Sequence, residues 1–375
     1  MKSSPGSHRP TPVKRGSATL QEIARRARCS IPVVSAVVNQ TRTSARVGAE
    51  TRERIERISA ELEYKPNYHA QTLRSGRSNV QAMLIHDHSF KTGFYIDLLA
   101  GIKTMARMLD NDLLIVSKGP DCDEVERGKQ LLQNRQVDSL IVMGTPYAYR
   151  IPELAGINEP VVIAGGTPTP CPFPRLAVDP AAGIREAVEQ LALLGHTTIL
   201  WAGCLTDGVR AVPERRRVFD AAIAKLNLRS REFYMTADGA SASSGPDKTI
   251  ASFKNQFSSY LDQHQPPTAL MAFNEQMGVG IYAALQEHGF RVPDDVSVVG
   301  YDGHYADLVY PSMAVVGMEM HELGRRASDL AFRMAGDRNL IQELAGHVEY
   351  VPSRFMPGNS IAPANKRKLK RKNKQ

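Results

Sequence analysis

Residues 19–40 read TLQEIARRARCSIPVVSAVVNQ. Thr19-Leu20-Gln21-Glu22 is a capping box, in which the Thr hydroxyl and the Glu carboxylate each satisfy an open backbone N–H at a helix start. Leu20, Ile23, Ala24 and Ala27 then share one face over two turns. Arg28-Cys29 makes a tight turn. Ser30 is placed to cap a second helix, with Pro32 in its first turn, where a missing N–H costs little. Val34, Val37 and Val38 can face the first helix. Two short helices so closely joined form a helix-turn-helix candidate.

Working outward, a third helix is expected from about Glu50 to Leu62. Glu50 and Glu53 suit its first turn, and Ile55, Ile58 and Leu62 close a small core. The intervening loop, Asn39 to Gly48, is polar and carries Arg42 and Arg46. Both suit phosphate contacts and equally suit a solvated surface. Pro66-Asn67 can begin another helix, but Gly76 ends it after about two turns, too short to stand alone in water. Such a helix forms only where something orders its surroundings, and DNA or a symmetry mate would do so.

The charge is divided along the chain. The 375 residues carry a net +8, yet residues 1–80 hold +9, the run Lys366–Lys374 holds +7, and the remaining middle is −8. A basic head and tail on an acidic body point to ends that meet a polyanion, with a solvated arm and tail as the plainer reading. Residues 1–18, rich in Ser, Pro, Gly and basic side chains, read as a disordered arm, and 361–375 as a basic disordered tail. No run nears 18 apolar residues and no secretory signal opens the chain, so a cytoplasmic protein is expected. The four cysteines lie far apart with no metal-ligand spacing.

From Val80 the pattern alternates strands with helices of 10 to 16 residues up to Tyr301, which means βαβ units and parallel sheets. Among these, Phe94–Leu109 is expected to be a helix with Ile96, Leu99, Ile102 and Met105 inward. About 280 residues are too many for one sheet, so two α/β lobes are expected, with ligands beyond the carboxyl ends of the strands.

The head resembles the LacI/GalR family of bacterial transcription regulators. The resemblance rests on Thr19-Leu20-x-x-Ile23-Ala24, Val34-Ser35-x-Val37-x-Asn39, Glu50-Thr51-Arg52-x-x-Ile55 and Tyr64-x-Pro66-Asn67-x-x-Ala70-x-x-Leu73-Arg74. It implies domains at 19–65 (helix-turn-helix) and 66–79 (hinge helix and linker). It assigns DNA contacts to Thr19, Ser30, Ile31, Pro32, Val33, Ser35, Ala36 and Asn39, joined by Arg42 and Arg46 of the loop. In the hinge it assigns Asn67, Tyr68, Ala70, Leu73 and Arg74, with Leu73 as a wedge between base steps. Three departures stand out. Ala36 offers only a methyl, for example to thymine. Glu63 stands where relatives place Gly, and is strained if its φ is positive. The loop from Asn39 to Gly48 is long.

The body resembles the same family's effector-binding part, which is similar to periplasmic sugar-binding proteins. The matching runs are Val178-Asp179-x-x-x-Gly183, Leu194-Gly195-His196, Arg215-x-x-x-Phe219, Ala272-Phe273-Asn274-Glu275 and Gly289 through Asp302. The implied architecture is an all-α helix-turn-helix head plus a two-lobed periplasmic-binding-protein-like domain with parallel sheets. Residues 80–360 would bind effector and dimerise, with three chain passages between lobes. The resemblance places Arg215, Asn274 and Asp302 on the effector, a set suited to a polyol. Phe94, Tyr95, Trp201 and Tyr301 are candidates to pack its faces. Trp201 reads equally as a core residue, and Arg215 as a helix-surface arginine. Glu275, where relatives have Asp, is expected to narrow or reshape the cleft. Gly165-Gly166-Thr167-Pro168 brings no charged side chain. A sugar is favoured, and a purine or other small polar metabolite stays open.

An enzyme is not expected. Asp87, His88 and Ser89 are consecutive and cannot converge on one face of a strand. No nucleophile elbow, P-loop or zinc set occurs, and neither cofactor nor metal is implied. The expected protein is a homodimeric, operator-binding repressor. The alternative is a solute-binding module without specific DNA binding.

Overall fold

The computed structural model describes residues 19–39, 46–64, 76–85, 93–118, 123–144, 150–165, 171–205, 211–236 and 246–365. The chain divides into two compact units, with the boundary between Ser78 and Asn79.

The first unit contains α1 (Leu20–Ala27), α2 (Ile31–Val38) and α3 (Ala49–Glu61). Ile23, Ala24 and Ala27 of α1, Val34 and Val37 of α2, and Ile55 and Ile58 of α3 form one buried cluster. The helix starts are simpler than their sequences imply. Thr19 Oγ1 accepts from the Glu22 amide at 3.3 Å, but Glu22 does not reach back to close the box. Its carboxylate takes Arg25 and Arg26 instead, at 2.7 and 2.8 Å. These hydrogen bonds, Arg25 first, hold its pKa down at about 2. Ser30 makes no side-chain cap. Arg28 closes α1 in the left-handed region at φ 51°. Glu63 also has a positive φ, 48°, and so meets the condition for strain.

The second unit holds two six-stranded sheets. In the first lobe β1 (Val80–Leu84), β2 (Asp112–Val116), β3 (Ser139–Met143), β4 (Val161–Ala164), β5 (Arg175–Asp179) and β11 (Val348–Pro352) lie in the order β11-β5-β4-β3-β1-β2, all parallel. Helix α4 (Gly93–Met108) packs on α10 (Met320–Gly336), which returns late in the chain to cover this sheet. A Cβ on Gly101 would lie 2.0 Å from the His321 carbonyl oxygen, and one on Gly324 2.2 Å from that of Leu98, so the helices touch backbone to backbone. Leu98, Ile102 and Ala106 form the buried face of α4. Ile96 is exposed, contrary to expectation, because the close crossing with α10 sets which face turns inward. α5 (Glu124–Gln133) completes the lobe, capped by Asp123.

In the second lobe β6 (Thr198–Leu205), β7 (Arg229–Thr236), β8 (Ala269–Ala272), β9 (Ser297–Asp302), β10 (Ala314–Gly317) and β12 (Arg354–Met356) take the order β12-β10-β9-β8-β6-β7, antiparallel only at β12. The strands bury both faces, and alternation sorts their side chains. Ile199, Trp201, Met271, Val299 and Tyr301 enter the core beneath α6 (Ala181–Leu193) and α7 (Ala211–Lys225). Leu200, Ala202, Leu270, Ala272 and Val298 enter the core beneath α8 (Pro246–Gln263) and α9 (Glu275–Glu287).

The chain changes lobe between β5 and α6, between β10 and α10, and between β11 and β12. The Ser353 amide donates to Asp179 O at 2.9 Å, its Oγ accepts from the Gly183 amide at 3.2 Å, and the Met318 amide donates to Asp302 O at 3.1 Å. These crossovers therefore gather at one hinge. β5 and the elements beyond Tyr301 are not among those expected from the sequence pattern. Residues 361–365, expected to be part of a disordered tail, are instead fastened to the second lobe, with Ala362 N donating to Ser297 Oγ and Ala364 N to Leu194 O. Among the described residues no helix is long and apolar enough to cross a membrane.

Candidate effector cleft and DNA-binding head

Both sheets present their carboxyl ends to the hinge. There α7 lays the Arg215 guanidinium over the Tyr301 ring at 3.5 Å and near the Phe273 ring at 4.9 Å. Arg215 Nη1 donates to Phe273 O at 2.8 Å, and Nη2 stands 3.7 Å from Asp302 Oδ1. The latter separation exceeds a hydrogen bond. A ligand hydroxyl set beside the pair, within hydrogen-bond reach of both atoms, could accept from Arg215 and donate to Asp302.

Asp302 has φ 110°, a region L-residues seldom adopt, and Gly303 follows at 105°. Such backbone persists where its surroundings hold it, commonly at binding sites. Glu275 supplies that hold. Its carboxylate is buried, and Oε2 accepts from the His304 and Tyr305 amides at 2.5 and 2.9 Å. Glu275 therefore fastens the loop after β9 and does not line the cleft. Burial raises the Glu275 pKa, opposed by the loop amides. Burial also pushes Asp302 up to about 7, with Arg215 opposing and Glu275 adding. The Tyr301 phenol is pushed up to about 12, chiefly by burial.

The same loop reaches across the hinge. His304 Nδ1 stands 3.3 Å from Asp97 Oδ2 on α4, and a Cβ on Gly93 would meet His304 at 2.8 Å. Burial lowers the His304 pKa against the pull of Asp97. Nothing in the sequence singled out His304, Asp97 or the Phe273 carbonyl: the first two meet only because the lobes face each other, and the third meets Arg215 only through the packing of α7 on the second sheet.

The other expected cleft residues fall elsewhere. Asn274 caps α9, its Oδ1 accepting from the Met277 amide at 2.9 Å. Trp201 is 1% exposed and packs on Phe219, 5.1 Å between centroids, so it is core and not an effector contact. The cause is strand alternation, which turns it under α6 and α7. Tyr301 is 2% exposed and forms a floor beneath Arg215, not an open face. Tyr95 is half-buried against the first lobe's core, and the Phe94 side chain lies outside the described residues.

In the head, Thr19, Ser30, Ile31, Pro32 and Arg46 are exposed, and Val33 and Asn39 half-buried. Ser35 and Ala36 are buried, at 5% and 7% exposure, although neither belongs to the three-helix core. The thymine contact considered for Ala36 therefore has no open methyl in this arrangement. Asn39 Nδ2 donates to Ser35 O and Oγ, at 2.8 and 3.1 Å. Arg54, which the sequence did not single out, donates to Ala27 O at 3.1 Å and ties α3 to the α1 end. Arg42, Asn67, Tyr68, Ala70, Leu73 and Arg74 lie outside the described residues, as do the hinge helix, the arm and the run Lys366–Lys374.

A helical reading head joined to a two-lobed, parallel-sheet binding body defines a ligand-binding, DNA-binding regulator. Comparison with known proteins agrees. Residues 19–67 match the model for bacterial regulatory proteins of the lacI family, and 188–361 the periplasmic binding protein-like domain. The HTH-type transcriptional regulator DegA of Bacillus subtilis is 27% identical over 92% of this chain and 99% of its own. The ribose operon repressor of Haemophilus influenzae is 26% identical over 83% and 90%. The solved lac repressor dimer bound to operator and the anti-inducer ONPF aligns with a TM-score of 0.70 at 24% identity, over 92% of this chain and 100% of that one. The chain belongs to the LacI/GalR family of transcriptional regulators. It is a DNA-binding regulator with a ligand-binding domain.

Proposed function

We propose that the protein is a homodimeric, operator-binding repressor whose effector, a sugar or similar polyol, seats between Arg215 and Asp302. The observation that carries this reading is the Arg215–Asp302 separation of 3.7 Å over the Tyr301 ring. A fork of donors and an acceptor stand side by side, close enough for one hydroxyl to reach both, on an aromatic floor at the hinge of two lobes. The effector is coupled to DNA if it favours one lobe arrangement, typically by about 1–3 kcal/mol. Repressor is the role named for the ribose operon relative.

Dimerisation is supported by apolar side chains left open on the first lobe. Leu114 and Ile115 on the edge strand β2, with Ile96 and Met108 of α4, are exposed. The operator-bound lac repressor, whose fold this chain shares, is a dimer. The DNA contacts proposed for the head are Thr19, Ser30, Ile31, Pro32, Val33, Asn39, Arg42 and Arg46. Asn67, Tyr68, Ala70, Leu73 and Arg74 would add minor-groove contacts.

The test has two arms. Duplexes selected by the protein from a random pool should be pseudopalindromes with half-sites a helical turn or a multiple apart. Selected sites without two-fold symmetry would overturn the homodimeric reading. A thermal-shift panel of pentoses, hexoses and purines should show stabilisation by a sugar that is lost in Arg215→Met. Stabilisation by a purine alone would replace the sugar.

A further inference from the structure

We propose that Asp97 and His304 form a latch that holds the two lobes together beside the effector site, with His304 as a positioning residue for the cleft. Three consecutive residues carry the argument, because they touch three different parts of the body. The Asp302 carboxyl stands 3.7 Å from Arg215, while its backbone carbonyl accepts from the Met318 amide of a crossover at 3.1 Å. Gly303 lies against the start of the same crossover, where an added Cβ would stand 3.5 Å from Gly317 Cα. His304 leaves the second lobe altogether. Its Nδ1 stands 3.3 Å from Asp97 Oδ2, and a Cβ on Gly93 would lie 2.8 Å from both Cβ and Cγ of His304. Glycine at the first position of α4 is therefore what lets the ring seat on a helix of the opposite lobe.

Both sides of this contact are firmly mounted. Asp302 and Gly303 sit at φ 110° and 105°, and Glu275 fixes the next two amides, so the segment that carries His304 is held in one uncommon conformation. On the other side, α4 touches α10 backbone to backbone at Gly101 and Gly324. A pull on Asp97 is therefore borne by two helices that cover the first sheet, and not by one side chain.

The contact itself is weak enough to open. Its 3.3 Å lies at the long edge for a nitrogen–oxygen hydrogen bond, and the Asp97 side chain is half-exposed while that of His304 is mostly buried. Opening hydrates both groups, so water replaces much of what is lost. With its pKa lowered by burial, the ring is neutral near pH 7 and meets the carboxylate with an N–H at Nδ1. A contact of this strength shifts the balance between two lobe arrangements and does not lock one of them.

The test reads the distance between the lobes in the full chain, without ligand or DNA. Nitroxide labels are carried on p-acetylphenylalanine in place of Arg127 of α5 and Arg217 of α7, both exposed. The labelled chain is diluted into a large excess of unlabelled chain, so that only distances within one chain are read. Pulsed electron resonance should give one main distance for the otherwise unchanged protein. Asp97→Ala and His304→Ala should each raise the share of a second distance by about threefold or more. The double variant should go no further than either single one, because the loss of one partner already opens the latch. His304→Phe keeps a ring over Gly93 and removes the nitrogen, and should behave as His304→Ala does.

One unchanged distance in every variant would overturn the proposal. So would additive effects in the double variant, which would mean that Asp97 and His304 act apart. An unchanged distance in His304→Phe would give the hold to ring packing on Gly93 and overturn it too. Urea midpoints of the same variants separate opening from misfolding: a lower midpoint with a single distance would mark the pair as merely structural and count against the latch. Asp97→Ala, at a half-exposed position of α4, keeps the test open if His304→Ala does not fold. The inference rests on the proposed effector cleft for its purpose, but neither effector nor operator enters the measurement. A failure of the sugar or operator reading therefore leaves the distances unchanged, and a failure of the latch leaves that reading standing.

Discussion

The guanidinium of Arg215 lies flat on the Tyr301 ring, 3.5 Å from its centroid, and is held there by the Phe273 carbonyl. Tyr301 and Asp302 are adjacent on β9, so alternation sends the ring into the core and leaves the carboxylate at the strand's end. One arginine on α7 thus meets a buried aromatic floor and a charged rim together.

Arg215→Met should destabilise the body as well as remove the proposed effector contact. It leaves Asp302 without its cation and the Phe273 carbonyl without its donor, at a cost of about 2–4 kcal/mol. Urea unfolding of the full chain should show this as a lower midpoint. An unchanged midpoint would mean that Arg215 is not engaged as described.

Asp302 governs a pH response with a definite sign. Its folded pKa of about 7 lies above the ordinary value of 3.8. Between these values the folded protein holds a proton that the unfolded chain has released, so stability falls as pH rises from about 4 to 7 and then levels. Glu275, also raised, adds to the same slope. Asp302→Asn should flatten the dependence in this window, measured by melting at a series of pH values, and should weaken effector binding tenfold or more. A slope like that of the unchanged protein would show Asp302 ionised throughout.

Glu63 at φ 48° should be better served by glycine. Relief of the left-handed strain, about 1–2 kcal/mol, is partly offset by the greater freedom of glycine in the unfolded chain, about 0.4–1 kcal/mol. Glu63→Gly should therefore raise the stability of the head slightly, read by hydrogen exchange of the α1 and α3 amides. Faster exchange would mean the Glu63 side chain makes a stabilising contact.

Gly101→Ala should be among the most damaging single-methyl additions. The new Cβ would sit 2.0 Å from the His321 carbonyl oxygen, with backbone on both sides of the crossing. Forcing α4 and α10 apart should cost at least about 1–3 kcal/mol, seen as a lower denaturation midpoint. A neutral result would mean that the helices are not in backbone contact.

The class of the architecture was legible in the chain before any coordinates. Period 3.6 in residues 20–62 and alternating strands and helices from Val80 are local patterns, set by which side chains must leave water. The head's core residues Ile23, Val34, Ile55 and Ile58 could be named for that reason. Arg215 and Asp302 were nameable because they sit in recognisable runs. Local pattern could not say that Trp201 is core, that Ile96 is exposed, or that Ser35 and Ala36 are buried. Each depends on what a distant segment places opposite. Of the closing elements, α10 and β11 pack on the first lobe, far back in the chain, and so carry no local signature. The meeting of Arg215 with Tyr301, the hold of Glu275 on the loop after β9, and the approach of His304 to Asp97 were likewise decided only by tertiary structure. Arg215 and Tyr301 are 86 positions apart, Glu275 and Tyr305 are 30, and Asp97 and His304 are 207; the packing within the second lobe joins the first two pairs, and the meeting of the two lobes at the hinge joins the third.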